Sequence, residues 1–310
     1  MKAEKFFTHP AGVLLSAVGA TFLWGSAFPI IKKSYERLEI GSDEIGEQLL
    51  FAGYRFFLAG VLIWLLFLFM KQRMIPRLED LGTLTKVGFF QTFVQYIFFY
   101  IGLSLSTGVQ GSIIAGTTSF FQIILAHFMY RDDKINMRKI IGLAVGFAGV
   151  VIANLTKGNL EIDMGLGEWL LVMAMLAGAF GNILAKNASR EIAVGYLTSF
   201  QMLIGGAGLI IVGMIFVGLF PFEFDVVSAA LLLYLAFLSA AGFILWNNVM
   251  KYNAVGRVSM YMFLVPVFGV ILSALILDEK LHMIVIGALF LVAAGIIIVN
   301  RDKQKSIKTS

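Results

Sequence analysis

Apolar residues run along this chain in ten long blocks, separated by short gaps that carry charged residues, glycine or proline. Each block approaches the roughly 20 residues that a helix needs to cross a bilayer. Backbone groups in lipid must be satisfied within the segment, and the alternation typical of barrel strands is missing, so every block predicts a helix. The predicted fold class is therefore an all-α integral membrane protein with ten transmembrane helices, at residues 11–31, 47–70, 81–103, 109–130, 137–155, 165–186, 194–219, 228–250, 256–277 and 281–299.

The chain also contains an internal repeat, which is clearest between Asp132 to Asn154 and Asp278 to Asn300. The two stretches align without a gap, and their identical positions include polar residues as well as apolar ones. The polar identities are Asp132 with Asp278, Lys134 with Lys280, and Asn154 with Asn300. Because self-similarity at a fixed spacing indicates a duplicated unit, we predict two repeats of five helices, covering residues 1–156 and 157–310.

The placement of charge predicts how the helices are oriented. Most of the 24 Lys and Arg residues fall in the connections that share a side with the N-terminus, and basic connections stay in the cytoplasm. The connections on the other side carry only Lys32, Lys33, Arg37, Lys157 and Lys280. This distribution predicts a multi-pass protein of the cytoplasmic membrane with both termini in the cytoplasm.

An odd number of helices per repeat means that the second repeat enters the membrane upside down relative to the first. The charges agree with this inversion, because one basic cytoplasmic connection loses its charge in its external copy. Arg131, Arg138 and Lys139 of the first repeat are replaced by Leu277, Ile284 and Val285. Inverted repeats are typical of secondary transporters, in which the substrate site lies near the membrane midplane between the repeats.

Composition excludes several kinds of chemistry. The 310 residues are 59% hydrophobic and 14% charged, whereas a soluble domain has about 25% charged residues. With no cysteine and three scattered histidines, we predict no disulfide, no metal site and no bound cofactor. The connections are too short for an added soluble domain, and we predict no nucleic-acid partner.

The acidic residues and the missing catalytic motifs argue against an enzyme. All 19 Asp and Glu residues lie in connections or at helix ends, with Glu47 and Glu168 closest to the membrane interior. A carboxylate inside the membrane would be the usual proton or cation carrier. The chain also lacks a G-x-x-x-x-G-K-[ST] loop and the Asp-rich or Ser/His motifs of membrane enzymes. We therefore predict a protein that is not an enzyme.

Arg55, in the stretch AGYRFFLAG, is the charged residue placed well inside a predicted helix. Its side chain has two interpretations. In the first, it reaches outward toward the interface or bonds neighbouring carbonyls. In the second, it anchors an anionic or carboxylate group by charge-assisted hydrogen bonds. The sequence leaves both open.

Polar residues near the middle of other helices form a second set of candidates. Gln91 and Gln95 are four residues apart and share a helix face, with Tyr96 beside them. Further candidates are Thr118, Gln122, Asn182, Trp246 and Asn247. Such side chains often make interhelical hydrogen bonds, so the alternatives are helix packing and a polar substrate cavity. Pro29 and Pro266 lie inside predicted helices, where each bends the helix, either as a structural kink or as a gating hinge.

Three stretches carry a resemblance to a known family: TFLWGSAFPIIKK, YRFFLAG and FLVPVFGVILSALILDEKLHMIVIGALFLVAAGIIIV. Through them the chain resembles the EamA family of the drug/metabolite transporter superfamily. The resemblance implies two inverted repeats around a central cavity lined mainly by helices one, three, four, six, eight and nine. The residues of this chain that match the family's motifs are Trp24, Ser26, Pro29, Arg55, Pro266 and Glu279. The first repeat departs from this pattern, with Ser119-Phe120 where Pro266 aligns and Asp133 where Glu279 aligns.

Together these observations predict a secondary transporter or facilitator that exports small organic metabolites, such as neutral or aromatic amino acids, by alternating access. A phosphorylated solute would call for several buried Lys or Arg residues, which are missing. Two alternatives stay open: a transporter of drugs or lipid-linked substrates, and a non-transporting membrane scaffold subunit. The predicted partners are a small-molecule substrate and the lipid bilayer, and a homodimer is left open.

Overall fold

The computed structural model describes residues 2–106, 108–155, 164–277 and 283–301, which are helices and turns without a strand. The helices are α1 (Lys2–Thr8), α2 (Pro10–Leu38), α3 (Ile45–Phe69), α4 (Leu78–Gly88), α5 (Gln95–Ser104), α6 (Gly108–Gly116), α7 (Thr118–Met129), α8 (Met137–Leu155), α9 (Leu166–Ala188), α10 (Val194–Val217), α11 (Val226–Tyr252), α12 (Val255–Val258), α13 (Leu264–Ile276) and α14 (Ile284–Asn300).

Length and composition identify seven candidate membrane spans within the described residues. They are Pro10–Leu38, Ile45–Phe69, Leu78–Ser104, Leu166–Ala188, Val194–Val217, Val226–Tyr252 and Val255–Ile276. Shorter apolar helices cover Ile113–Met129 and Ile284–Asn300, and α8 has 19 residues. The prediction of a helical, multi-pass membrane protein is confirmed, while the number of ten crossings stays a prediction.

Three of the predicted helices are interrupted. Phe89–Val94 forms a π-helical segment between α4 and α5, Thr117 separates α6 from α7, and a 3-10 turn, Ser259–Phe263, separates α12 from α13. Pro266 follows in the first turn of α13, where a missing N–H costs little, whereas Pro29 lies inside the continuous helix α2. Broken helices at membrane depth are tolerated where they face protein or a cavity.

Each helix contact described below in one half of the chain has an equivalent contact in the other half. α3 packs along α10, and α8 packs along α14. α2 packs against α11 and α13, while its counterpart α9 packs against α5 and α7. Exchanging α2 with α9, α5 with α11 and α7 with α13 therefore converts one set of contacts into the other. The breaks at Thr117 and Phe263 also match, in the register that pairs Asp132 with Asp278.

Small residues allow the paired helices to approach closely. At Gly60 of α3, an added Cβ would lie 2.9 Å from the Ser199 carbonyl oxygen of α10, and the Ser199 hydroxyl donates to the Gly60 carbonyl at 2.9 Å. Lipid tails provide no hydrophobic driving force between helices, so such close packing and hydrogen bonding drive their association. The outward faces carry apolar side chains such as Ile215 and Phe290, both 72% exposed.

Candidate functional site

Three amide side chains from different helices meet in the buried interior. Gln91 Nε2 donates to Asn182 Oδ1 at 2.7 Å and to Asn247 Oδ1 at 3.4 Å. Asn247 Nδ2 donates in turn to Thr198 Oγ1 at 2.9 Å. Gln91 is 0%, Asn182 6% and Asn247 1% exposed. We call Gln91, Asn182 and Asn247 the amide cluster, and it joins the π-helical segment to α9 and α11.

Two glycines explain how Gln91 and Gln95 come so close to α9. A Cβ added at Gly181 would lie 2.6 Å from Gln91 Cα, and one at Gly178 would lie 2.6 Å from Gln95 Cδ. A larger residue would therefore push the two helices apart. The π-helical segment adds one residue to the turn that carries Gln91, and such segments are frequent at functional sites.

Aromatic rings continue the site along α2, α3, α5 and α11. Trp24 packs on Trp246 with ring centroids 5.7 Å apart and on Phe243 at 5.1 Å. Phe243 contacts Phe56 at 6.5 Å, and Phe56 contacts Tyr96 at 4.3 Å. Trp246 is fully buried. We call Trp24, Trp246, Phe243, Phe56 and Tyr96 the aromatic wall, and it begins next to Asn247 of the amide cluster.

Several buried polar atoms in this region have no hydrogen-bond partner among the described residues. They include Trp24 Nε1, Trp246 Nε1, Gln91 Oε1 and Gln122 Nε2. Buried polar atoms nearly always have a partner, and an unpaired one costs about 1–3 kcal/mol. The indole donors and the amide acceptor can therefore hydrogen-bond a polar molecule that comes from outside the chain.

Gln122 lies where two of the helix breaks meet. Its Oε1 accepts from the Ser259 hydroxyl at 2.6 Å, and the Ser119 hydroxyl donates to the Ser259 carbonyl at 2.8 Å. These bonds tie the first turn of α7 to the 3-10 turn before α13. Ser259 was not predicted as a site residue, because a lone serine in an apolar helix carries no distinguishing signal.

Thr118 and Ser26 do not join the amide cluster. The Thr118 hydroxyl donates to the Ala115 carbonyl at 2.8 Å and to the Met175 sulfur at 3.0 Å. The Ser26 hydroxyl bonds the Leu23 carbonyl at 2.7 Å and the Tyr234 hydroxyl at 2.9 Å. Both are local or helix-pairing contacts of the kind that is common in membrane proteins.

Arg55 is buried beside the aromatic wall, with only 3% exposure. Its Nε donates to the Ser239 hydroxyl of α11 at 2.7 Å, and its Cζ lies 4.9 Å from the Phe56 ring centroid. Tyr100 lies beside the guanidinium. No Asp or Glu of the described residues forms an ion pair with Arg55.

A buried ion pair joins a connection to the helices beside it at the end of the molecule that holds α1. Asp133 accepts from Lys139 Nζ at 2.6 Å and from the Gly256 backbone N–H at 2.8 Å. The side chains of Asp133 and Lys139 are 5% and 8% exposed. The pair ties the connection between α7 and α8 to the start of α12. Glu279, the aligned counterpart of Asp133, lies outside the described residues.

Lys186 connects α9 to α11 at the same end of the molecule. Its Nζ donates to the carbonyls of Met250 and Asn253, at and just after the end of α11. The Asn253 amide donates to the Phe7 carbonyl of α1 at 2.8 Å. α1, α9 and α11 are thereby held together by hydrogen bonds to backbone carbonyls.

At the opposite end, Arg37 and Asp225 form an ion pair between α2 and α11. Asp225 also caps α11 in a capping box with Ser228. The hydrogen bond from Arg37, together with those from Ser228, holds the pKa of the Asp225 carboxyl well below its usual value. Both side chains are largely exposed, and such surface pairs contribute little to stability.

A cavity of about 580 Å³ opens between α4 and the end of α9. It is lined by Arg77, Glu79, Asp80, Thr83, Lys86, Val87, Leu184, Asn187, Ala188, Glu191 and Ile192. Val87 of this lining precedes Gln91 by about one helical turn along the chain, and Leu184 follows Asn182 on α9. Within the described part of the chain, no three His, Cys, Asp or Glu residues are grouped to hold a metal ion.

The fold and the site define a class: a multi-pass helical membrane protein with interrupted helices and a buried interior of polar and aromatic side chains. The sequence profile of the EamA-like transporter family matches residues 11–155 and again residues 165–301. The chain belongs to the EamA-like transporter family and is a membrane transporter. The family resemblance noted from the motifs is thus confirmed.

Relatives over most of the chain are also named as transporters. The "Uncharacterized transporter YoaV" of Bacillus subtilis (strain 168) is 24% identical over 92% of this chain and 95% of its own length. The "Probable amino-acid metabolite efflux pump" of Escherichia coli (strain K12) is 26% identical over 87% of this chain and 88% of its own length. A crystal structure 13% identical in sequence matches with a TM-score of 0.77, over 94% of this chain and 98% of that one, which shows a shared fold.

Proposed function

We propose that this transporter exports small organic metabolites, with neutral or aromatic amino acids as its substrates, across the cytoplasmic membrane by alternating access. The amide cluster and the aromatic wall form the substrate site. The amide side chains can hydrogen-bond a polar solute, and the rings suit an aromatic side chain.

The observation that carries this proposal is the set of unpaired polar atoms in the buried interior. Trp24 Nε1, Trp246 Nε1 and Gln91 Oε1 are all buried without a partner in the described chain. A transporter must hold its substrate with groups that its own fold leaves unused, because groups already paired within the protein gain little from binding. A scaffold protein has no reason to keep such atoms in its interior.

The exchange of helix contacts supports alternating access. α2 and α9 occupy equivalent places, because each packs against two helices, and one of the two (α13 for α2, α7 for α9) starts at a matching break. This is the arrangement expected of two inverted repeats, residues 1–156 and 157–310, that rock about a central site. Ten crossings and cytoplasmic termini complete the proposed topology, as the distribution of Lys and Arg favours.

The cavity between α4 and α9 supports outward transport. In the proposed topology it opens to the cytoplasm, and Val87 of its lining lies about one helical turn before Gln91 along the chain. Its lining carries both signs of charge, through Arg77, Lys86, Glu79 and Glu191, which suits the entry of a zwitterion. The name of the Escherichia coli relative, an amino-acid metabolite efflux pump, supports the same substrate class and direction.

Efflux from proteoliposomes tests the proposal. Liposomes preloaded with labelled L-phenylalanine and containing the protein are expected to release it several times faster than protein-free liposomes. Gln91→Leu removes the donor that holds Asn182 and Asn247, so efflux is expected to fall at least tenfold, a change of about 1.4 kcal/mol in the barrier.

The matched control is Gln48→Leu. Gln48 is a buried glutamine of α3 whose side chain, among the described residues, bonds the Gly41 and Ser42 carbonyls in the connection after α2. This variant is expected to keep wild-type efflux. Equal losses in both variants, or no release above protein-free liposomes across a panel of neutral amino acids, would remove the proposed function.

A further inference from the structure

The guanidinium of Arg55 is a buried positive charge that forms no ion pair with the described residues. It is 3% exposed, and none of the ion pairs among the described residues involves it. Removing a charge from water is costly unless an opposite charge or several hydrogen bonds compensate for it. Arg55 therefore has unused capacity to bind an anion.

Its neighbours are neutral hydrogen-bonding groups. The Ser239 hydroxyl accepts from Nε at 2.7 Å, which fixes the plane of the guanidinium. The hydroxyls of Tyr35, Tyr96 and Tyr100 each interact electrostatically with the Arg55 guanidinium. Phenols can donate to a carboxylate beside an arginine, because a carboxylate oxygen accepts more than one hydrogen bond.

Arg55 and the amide cluster contact the same helix, α11, at two different heights. Ser239, which holds Arg55, and Asn247 of the amide cluster lie on the same helix, α11, with a rise of about 12 Å between them. Phe243 and Trp246 of the aromatic wall lie between these two positions on α11. The π-helical segment and α5 show the same order, with Gln91 first, then Tyr96 and then Tyr100.

We propose that Arg55, oriented by Ser239, binds the carboxylate of the transported solute, so that the substrate class is limited to carboxylate-bearing molecules such as free amino acids. The proposal rests on the proposed function in that it assigns one end of the same site. The carboxylate pairs with the guanidinium through two parallel hydrogen bonds, and the aromatic wall contacts the side chain. The substrate thus supplies the missing counter-ion.

Binding to purified, detergent-solubilised protein tests this directly. The probes are L-phenylalanine and L-phenylalaninamide, which differ only in the carboxylate. The wild type is expected to bind the free acid at least tenfold more tightly than the amide. Arg55→Gln is expected to reduce this preference to about twofold or less, mainly through weaker binding of the acid.

Two further variants keep the test decisive. Arg73→Gln removes an exposed arginine of the connection between α3 and α4 and is expected to keep the wild-type preference. Arg55→Lys keeps the charge but loses the planar two-pronged donor, so the preference is expected to fall at least threefold even if Arg55→Gln does not fold.

The outcomes separate this inference from the proposed function. An unchanged preference in both Arg55 variants, or a wild type that does not distinguish the acid from the amide, overturns the carboxylate site while leaving transport in place. Preferential binding of the acid that depends on Arg55, together with no flux in liposomes, supports the carboxylate site and overturns the proposed function.

Discussion

At the scale of single residues, two sets of buried polar side chains differ in how completely their hydrogen bonds are satisfied. Gln91, Asn182 and Asn247 lie in the interior, and Gln91 Oε1 has no hydrogen-bond partner among the described residues. Asp133 and Lys139 lie at one end and are fully engaged with each other and with backbone groups. The first set suits ligand binding, and the second fixes the structure.

The buried pair gives a stability prediction. Asp133→Ala leaves the Lys139 ammonium buried without its partner and the Gly256 N–H without its acceptor. We expect it to lower the free energy of unfolding by about 3–5 kcal/mol. Denaturant titration of the purified protein measures this.

The neighbouring exposed residue provides the control. Asp132→Ala, at an exposed position, is expected to change the free energy of unfolding by less than about 0.5 kcal/mol. Similar values for the two variants would show that the ion pair does not hold the connection between α7 and α8 to α12.

Sequence reasoning found the amide cluster because glutamine and asparagine are costly inside a membrane and therefore stand out. It did not find the contact of Asp133 with Gly256, since the two residues are far apart in the chain and nothing in the sequence pairs them. Thr198 and Ser259 were missed for a different reason. Small hydroxyl residues are common in membrane helices, so nothing in the sequence marks these two.

At the scale of elements, the apolar blocks predicted where the long described helices lie, but they predicted neither α1 nor the positions of the breaks. Hydropathy reports how apolar a segment is, and a π-helical segment or a 3-10 turn is as apolar as the α-helix around it. The breaks nevertheless position the site: Gln91 lies in the π-helical segment, and Gln122 bonds the 3-10 turn at Ser259. Glycines on α9 then allow the π-helical segment to approach.

Gly181 tests this positioning. Gly181→Ala places a methyl group 2.6 Å from Gln91 Cα, so α9 must move away from the π-helical segment. We expect a loss of about 1–3 kcal/mol in the free energy of unfolding and, because Asn182 is displaced from Gln91, slower efflux of phenylalanine.

Gly82 of α4 is the matched glycine, with nothing within 4 Å of an added Cβ. Gly82→Ala is expected to leave efflux unchanged and to raise the free energy of unfolding by up to about 1 kcal/mol, because alanine is the better helix former. Unchanged efflux in Gly181→Ala would contradict the account of how the amide cluster is assembled.

At the scale of the whole molecule, the two halves form equivalent helix contacts, with α2 and α9 in corresponding places. The alignment of Asp132 to Asn154 with Asp278 to Asn300 predicted this duplication from the sequence. The inversion of the halves was inferred from charge alone and stays a prediction, as does the boundary at residues 156 and 157, which lies outside the described residues. Two equivalent halves around one site are expected to expose that site to each side in turn.

Stimulation of efflux by substrate on the opposite side tests this central claim most directly. With labelled L-phenylalanine inside proteoliposomes, an excess of unlabelled L-phenylalanine outside is expected to accelerate release of the label, because a loaded site returns faster than an empty one. The label would leave at the same rate with and without external phenylalanine if the protein formed an open pore or no pathway at all, and that result would contradict the account.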